Sequence, residues 1–482
     1  MLRDLIKEGG LYTIANLLTK GVSLLLIPFY SDYFTQSEYG ILAMLGIAGA
    51  FSAAFFSFQI YQAVGRFITE KDLTHRQQQE IGSSGFWFNF LSYMIFILLA
   101  LFFKDQVINL LSEDEKIKDS TYYWALFAVA LNGTFNALRV QLKFLRKTKA
   151  FSITTFLHAI LNIGFILLFA LGFDYRIDSV YMAAIVATPV MILFQLYYLR
   201  KYIIFYIGKL EVQKLLRFSV PLIPAAMAYL ALGFTDRIFI KEISGSLAEV
   251  GIYDMAFKFS AIISLIIVSF QSALAPIIYQ QHQDEGTQAN LGRIMRLFIA
   301  VGTLGVLCLA FFSYETLYIF TQPAYYEASV LMPIFYLSVL MTGLGMFSPG
   351  LHLKNKTKYI AIIVIFTAII NVALNYWLIP IFELFGAAIA TLISTLINNL
   401  ALFNIAQKLY PIPVSKGKIG QVLIVFIIVY AAGSYFSSFV ELDYIYEFGI
   451  KTGIIVLYGL FLLRVNFISF DQIKDRLIQR KK

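Results

Sequence analysis

The feature that most constrains this chain is a succession of long apolar segments that recurs from one end to the other. A helix needs about 20 apolar residues to cross a bilayer, and each segment has roughly that length. Backbone groups in lipid must be satisfied within the segment, which favours helices. We therefore expect an all-α integral membrane protein with fourteen transmembrane helices. The predicted spans are residues 10–33, 39–63, 82–103, 121–142, 150–172, 179–200, 215–240, 250–276, 290–313, 326–350, 359–379, 384–407, 418–440 and 446–468.

The composition argues against several other classes. Only 14% of the residues are charged, whereas a soluble domain carries about a quarter. A single cysteine excludes a disulfide framework, and the four histidines show no metal-ligand spacing. We expect no metal, no cofactor and no enzymatic activity.

The distribution of basic residues predicts the orientation. Of the 38 lysines and arginines, 29 fall at the termini and in the even-numbered loops, and six fall in the odd-numbered loops. Cytoplasmic loops carry such an excess, so both termini are expected in the cytoplasm. This placement accounts for the net charge of +9 without a nucleic-acid partner. Membrane lipid is the partner that these basic loops would meet.

The chain also resembles itself. Lys147–Lys149 returns as Lys356–Lys358 at an offset of 209 residues, and Glu38–Met44 parallels Glu249–Met255 at an offset of 211. The offset covers six predicted helices, so both copies enter the membrane in the same direction, as in transporters built from parallel repeats. The predicted arrangement is 6+6+2. Its parts are a first lobe at 1–208, a second lobe at 209–410, and two appended helices with a basic tail at 411–482.

Two lysines fall at bilayer depth. Lys20 lies ten residues into the first span, about 15 Å along a helix, and Asn16 shares its face. A charge at this depth is costly, so Lys20 is expected either to line an aqueous cavity or to pair with a carboxylate. Lys258 lies inside the eighth span, and Asp254 four residues earlier makes an ordinary ion pair the alternative.

Further polar residues accompany these lysines. Gln59, Gln62 and Arg66 are spaced to share one face, and Arg66 is expected either to bind substrate or to anchor the cytoplasmic end. His158 is a second candidate for lining the cavity, with a packed hydrogen-bonding role as the alternative. No Asp or Glu falls deep in the first six spans, so the cavity would attract an anion.

Several local patterns resemble one known group of transporters. They are GGLYTIANLLTKGVSLLLIPFYSDYFTQSEYGILAM near the start, YQAVGRFITE, LKFLRKTKAFSI, and TDRIFIKEISGSLAEVGIYDMAFKFS. Together with the 6+6+2 plan, they resemble the bacterial polysaccharide flippases. These translocate O-antigen or capsule repeat units and belong to the multidrug/oligosaccharidyl-lipid/polysaccharide exporter superfamily.

The resemblance implies a substrate and its site. The substrate would be an oligosaccharide on undecaprenyl pyrophosphate, flipped outward across the bacterial cytoplasmic membrane, with other polysaccharide-assembly proteins as candidate partners. Related lipid II flippases carry cavity cations on helices 1, 2 and 8, where this chain has Lys20, Arg66 and Lys258. Lysine at two of these places leaves only Arg66 for a bidentate grip on phosphate.

Two other functions remain open from the sequence. A cation-coupled drug or metabolite antiporter of the same superfamily would need an acidic cluster in the first lobe, where none appears. A membrane polysaccharide polymerase or ligase would need a catalytic outer loop. The longest outer loop, 104–120, lacks a catalytic constellation.

Overall fold

A computed structural model describes residues 21, 24–70, 73–111, 117–281, 284, 286–354, 356–439 and 444–465. These residues are helical, with short turns and no strand among them. The helices of the first half are α1 (Gln36–Phe56), α2 (Ile60–Phe67), α3 (His75–Phe102), α4 (Lys104–Leu111), α5 (Asp119–Phe144), α6 (Thr148–Phe173), α7 (Asp178–Leu199), α8 (Lys209–Ser219) and α9 (Ile223–Ser244). Those of the second half are α10 (Leu247–Phe259), α11 (Ala261–Gln281), α12 (Thr287–Phe311), α13 (Ser313–Phe320), α14 (Met332–Gly343), α15 (Gly350–Leu353), α16 (Thr357–Leu409), α17 (Lys416–Phe439) and α18 (Tyr444–Arg464).

Among the described residues, eleven helical segments are long and apolar enough to cross a membrane, so the protein is a multi-pass membrane protein. Three features account for the difference from fourteen. The first predicted span lies largely outside the described residues. Helix α5 is not among the eleven. Helix α16 covers two predicted spans, divided where Glu383 takes a non-helical backbone conformation. The count of fourteen stays a prediction.

The helices pack into two compact units. One comprises 1–255 and 364–387, and the other comprises 256–363 and 388–482. This division reflects which helices pack together, whereas the predicted lobes follow internal sequence similarity. The three-part plan with boundaries after 208 and 410 therefore stays a prediction.

In the first unit, α7 packs along both α5 and α6. A core of Phe86, Leu138, Leu142, Phe151 and Leu199 joins α3, α5, α6 and α7. Burial of such side chains contributes about 1.5–3 kcal/mol each in water. In lipid, close packing between helices has to supply more of the stability.

In the second unit, α12 lies against α14, α17 and α18. The Tyr458 hydroxyl donates a hydrogen bond to Thr303 Oγ1 at 3.0 Å. Lys451 is buried, with Nζ 2.7 Å from Glu315 Oε1 and 2.9 Å from Glu447 Oε1. This lysine is therefore bound by two carboxylates within the protein.

A reciprocal glycine contact joins the start of α1 to the start of α10, both in the first unit. A Cβ added at Gly40 would lie 1.9 Å from the Leu247 carbonyl oxygen, and one added at Gly251 would lie 2.2 Å from that of Gln36. Gln36 and Leu247 are separated by 211 residues, as are Gly40 and Gly251. The contact thus repeats itself with the two sequence copies exchanged, as a local two-fold axis requires.

The contact predicts a sharp difference between two glycines of one helix. Gly40→Ala would force backbone atoms apart and is expected to destabilise the protein by about 1–3 kcal/mol. Gly46→Ala is the matched control, since nothing lies within 4 Å of its added Cβ, and alanine is the better helix former. Thermal unfolding of the purified variants would measure both. Equal melting temperatures for the two variants would contradict the close contact.

Candidate functional site

The second predicted span, 39–63, is broken a few residues before its end. Phe58 and Gln59 both adopt positive φ angles of 47° and 50° between α1 and α2. The break frees carbonyl groups of the last turn of α1. The Ser92 hydroxyl donates to the Phe56 oxygen at 2.5 Å, and Gln59 Nε2 donates to the Ala54 oxygen at 3.3 Å. Broken membrane helices occur where the backbone lines a cavity or is buried in protein, so this break marks a candidate site.

The break falls at Gln59, the first of the three polar residues predicted on one face, and the other two follow it on α2. Gln62 Nε2 donates to Gln59 Oε1 at 2.7 Å, so these two amides lie together. Gln59 is buried, whereas Gln62 and Arg66 are exposed. The Arg66 guanidinium lies 4.6 Å from the ring centre of Phe218, at the end of α8. Arg66 therefore stacks on an aromatic ring beside the connection between α8 and α9.

His158 lies on α6 and contacts both α5 and α7. Its Nε2 is 3.0 Å from Thr188 Oγ1 on α7, and its ring stacks on Phe135 of α5 with centroids 4.3 Å apart. The side chain is only partly buried. His158 therefore packs and forms a hydrogen bond with the two neighbouring helices. Its role in lining the cavity stays a prediction.

Lys258 sits at a second interruption. It is one residue from the end of α10, and Ser260 follows as a turn before α11. The Ser260 hydroxyl donates to the Phe257 oxygen at 2.5 Å, which satisfies a carbonyl at the break. Lys258 and Arg66 belong to different compact units. Lys20 and Asn16 lie outside the described residues, so the predicted trio of cations stays a prediction.

A charged cluster lies inside the first unit. Arg237 is fully buried on α9, eight positions before Gly245 ends the helix. Its Nη1 is 2.9 Å from Asp236 Oδ1, and its Nη2 is 3.3 Å from Asp254 Oδ1. The Tyr253 hydroxyl donates to Asp236 Oδ2 at 2.5 Å. The pair therefore links α9 to α10 within a buried network.

A second charged cluster surrounds the start of α1. Arg176 Nε donates to Glu38 Oε1 at 3.0 Å, and the guanidinium lies 5.0 Å from the Tyr33 ring centre. The hydrogen bond to Glu38 is the main reason that the pKa of Arg176 is raised above its ordinary value. A cavity of about 210 Å³ lies beside this pair and is also lined by Asp178 and Tyr175. The ion pair ties α1 to the turn before α7.

Within the described ranges, no group of three or more histidine, cysteine or acidic residues could hold a metal ion. The polar groups instead form hydrogen bonds at helix breaks and ion pairs between helices.

Comparison with known proteins decides the family. The family model described as polysaccharide biosynthesis protein matches residues 5–282, which is more than half of the chain. The chain belongs to this family. A second model, described as MatE, matches residues 221–377. Both matches fit the polysaccharide flippase branch of the exporter superfamily that the sequence patterns indicated, and that prediction is confirmed.

Solved structures share the fold of this family member at low identity. The lipid II flippase MurJ in an inward closed conformation matches with a TM-score of 0.72 and 15% identity, over 94% of this chain and 97% of its own. A Vibrio cholerae MATE transporter, VcmN, matches with a TM-score of 0.58 and 16% identity, over 84% and 97%. A MOP superfamily transporter from Pyrococcus furiosus gives 0.59 and 14%, over 84% and 95%. No curated protein sequence matches the chain.

Proposed function

We propose that this protein is a flippase for an oligosaccharide linked to undecaprenyl pyrophosphate. It would move the lipid from the inner to the outer leaflet of the bacterial cytoplasmic membrane, for the synthesis of a surface polysaccharide. The observation that carries the proposal is the family match over residues 5–282. A fold shared with a lipid II flippase over 94% of the chain supports it.

The charges within the membrane suit such a substrate. A pyrophosphate loses its hydration when it leaves the aqueous surface, and cations along its path offset that cost. Lys20, Arg66 and Lys258 are the cations to which we assign this role. The polar sugar would travel in water while the lipid tail stays in the bilayer. The inside-negative membrane potential favours outward movement of an anion, by about 2.3 kcal/mol per charge at 100 mV.

Alternating access would supply the motion. Transporters built from parallel repeats expose a site to each side in turn as the repeats move against each other. The reciprocal contact of Gly40 and Gly251 supports this view because it joins equivalent points of the two sequence copies. In this proposal the contact closes one side of the path and separates when that side opens.

A cation-coupled antiporter is the second candidate, because the MatE model matches residues 221–377. Such a transporter needs a carboxylate that can exchange a proton or sodium ion. The buried Asp236 and the partly buried Asp254 lie within this region, and both already bond to Arg237. That engagement favours the flippase.

A cellular experiment separates the two candidates. Depletion of the protein from its host is expected to trap lipid-linked oligosaccharide in the inner leaflet, because synthesis continues while export stops. Mass spectrometry of the lipid extract and lectin labelling of the surface would measure the two effects. Unchanged surface polysaccharide together with raised sensitivity to cationic dyes would instead support the antiporter.

A further inference from the structure

Helix α5 carries a polar stripe that none of the preceding assignments uses. Asn132, Asn136, Arg139 and Lys143 follow one another at spacings of four, three and four, so they share one helical face. Asn136 and Lys143 are exposed, and Asn132 and Arg139 are partly exposed. The first three residues fall within the predicted span 121–142, and Lys143 lies just beyond it. Polar side chains at membrane depth face water-filled space or protein rather than lipid. The stripe therefore indicates that the final half of α5 borders an aqueous path.

Arg139 is the unusual member of this stripe. Its guanidinium lies 5.9 Å from the ring centres of Phe135 and Phe151. Within the described part of the chain, Arg139 packs against these two rings and forms no ion pair with a carboxylate. The imidazole of His158 lies near enough to interact with its charge. The residue is five positions before Phe144 ends the helix, about 8 Å along its axis. A cation held there without an anion is costly.

Unfilled hydrogen-bonding groups occur at the same level. Thr155 follows Phe151 by one turn on α6, and its buried Oγ1 has no hydrogen-bond partner. Gln195 follows Thr188 by two turns on α7, and both atoms of its buried amide lack a partner. The antiparallel pairing of His158 with Thr188 brings Gln195 level with Phe151. Buried hydrogen-bonding groups without partners therefore lie on both α6 and α7 near the level of Arg139.

We propose that Arg139 binds a phosphate group of the transported lipid, with Lys143 at the entrance to the site. This inference rests on the proposed function and names a substrate-binding residue in addition to Lys20, Arg66 and Lys258. A guanidinium donates two parallel hydrogen bonds to phosphate oxygens, which a lysine ammonium cannot do. Packing on Phe135 and Phe151 fixes its plane, while the exposed edge of the stripe admits the ligand.

The test is binding of undecaprenyl pyrophosphate to the full chain in nanodiscs of zwitterionic lipid. Arg139→Gln removes the charge and is expected to weaken binding by about tenfold or more. Arg139→Lys keeps the charge but cannot donate two parallel hydrogen bonds. Its affinity for undecaprenyl pyrophosphate is expected to lie between those of Arg139→Gln and the unchanged protein. Arg200→Gln is the matched control, because Arg200 is exposed at the end of α7 and stacks on Tyr197 at 4.4 Å.

The outcomes separate this inference from the function on which it rests. Weaker binding by Arg139→Gln, with normal binding by Arg200→Gln, supports the site. Equal binding by all variants overturns the site and leaves the flippase standing. No binding even by the unchanged protein overturns both. Competition by an equal concentration of phosphatidylglycerol would show that Arg139 holds bulk lipid phosphate, and would also overturn the assignment. If Arg139→Gln fails to fold, Arg139→Lys takes its place: weaker binding than by Arg200→Gln supports the site, and equal binding overturns it.

Discussion

Replacement of Arg237 by methionine is expected to remove most of the folded protein from the membrane. The change leaves the buried carboxylate of Asp236 and the partly buried carboxylate of Asp254 without their shared cation. Breaking a buried charge pair by removing one partner costs about 3–5 kcal/mol, a large part of the stability of any domain. The yield of monodisperse protein and its melting temperature in detergent would measure the loss.

Two further variants test the physical reason. Arg176→Met breaks the more exposed pair with Glu38, and a pair of that kind contributes about 1 kcal/mol or less. The triple change of Arg237→Met with Asp236→Asn and Asp254→Asn removes the charges together and is expected to recover part of the stability. An unchanged melting temperature for Arg237→Met alone would show that the cluster does not stabilise the fold.

Reversal of charge at Lys20 is expected to give the largest loss of transport without loss of the protein. A glutamate at bilayer depth would repel the pyrophosphate that the lysine is proposed to attract, and like-charge contact costs several kcal/mol. We expect flipping to fall by about a hundredfold or more. Lys258→Glu is expected to act in the same direction and would also repel Asp254, four residues away.

Conservative variants provide the controls. Lys20→Arg and Lys258→Arg keep the positive charge and are expected to retain most of the activity. Each variant would be assayed for flipping in vesicles and for its amount in the membrane. Normal transport by Lys20→Glu would rule out an anion-binding role for that residue and weaken the case for a cationic path.

The sequence predicted much of the fold because membrane helices leave a strong signal. Runs of apolar residues identify helices wherever lipid is the solvent, and the predicted all-helical, multi-pass character is confirmed. The breaks escaped prediction. Phe58 resembles the other phenylalanines of the apolar spans, so the sequence does not mark it as the site of a break. The break is stabilised by Ser92 and Gln59, whose side chains donate hydrogen bonds to the freed carbonyls.

The candidate site was also harder to predict, because it too depends on contacts between helices. Asp236 and Arg237 are adjacent in sequence, but their burial depends on Asp254 and Tyr253 from the next helix. Arg139 has no distinguishing signal by itself, whereas Asn132, Asn136 and Lys143 at helical spacing indicate a polar face. Pairing between helices decides which charges are available to a substrate, and one sequence does not give that pairing.

The most direct measurement is the movement of a fluorescent undecaprenyl-pyrophosphate oligosaccharide in vesicles that contain the purified protein. The lipid is loaded into the leaflet that corresponds to the cytoplasmic side, and a quencher reports its arrival in the other leaflet. We predict transfer that requires the protein, accelerates with a potential that draws the anion across, and is lost in Lys20→Glu. Transfer no faster than in protein-free vesicles, together with uptake of a cationic dye driven by a proton or sodium gradient, would contradict the flippase function.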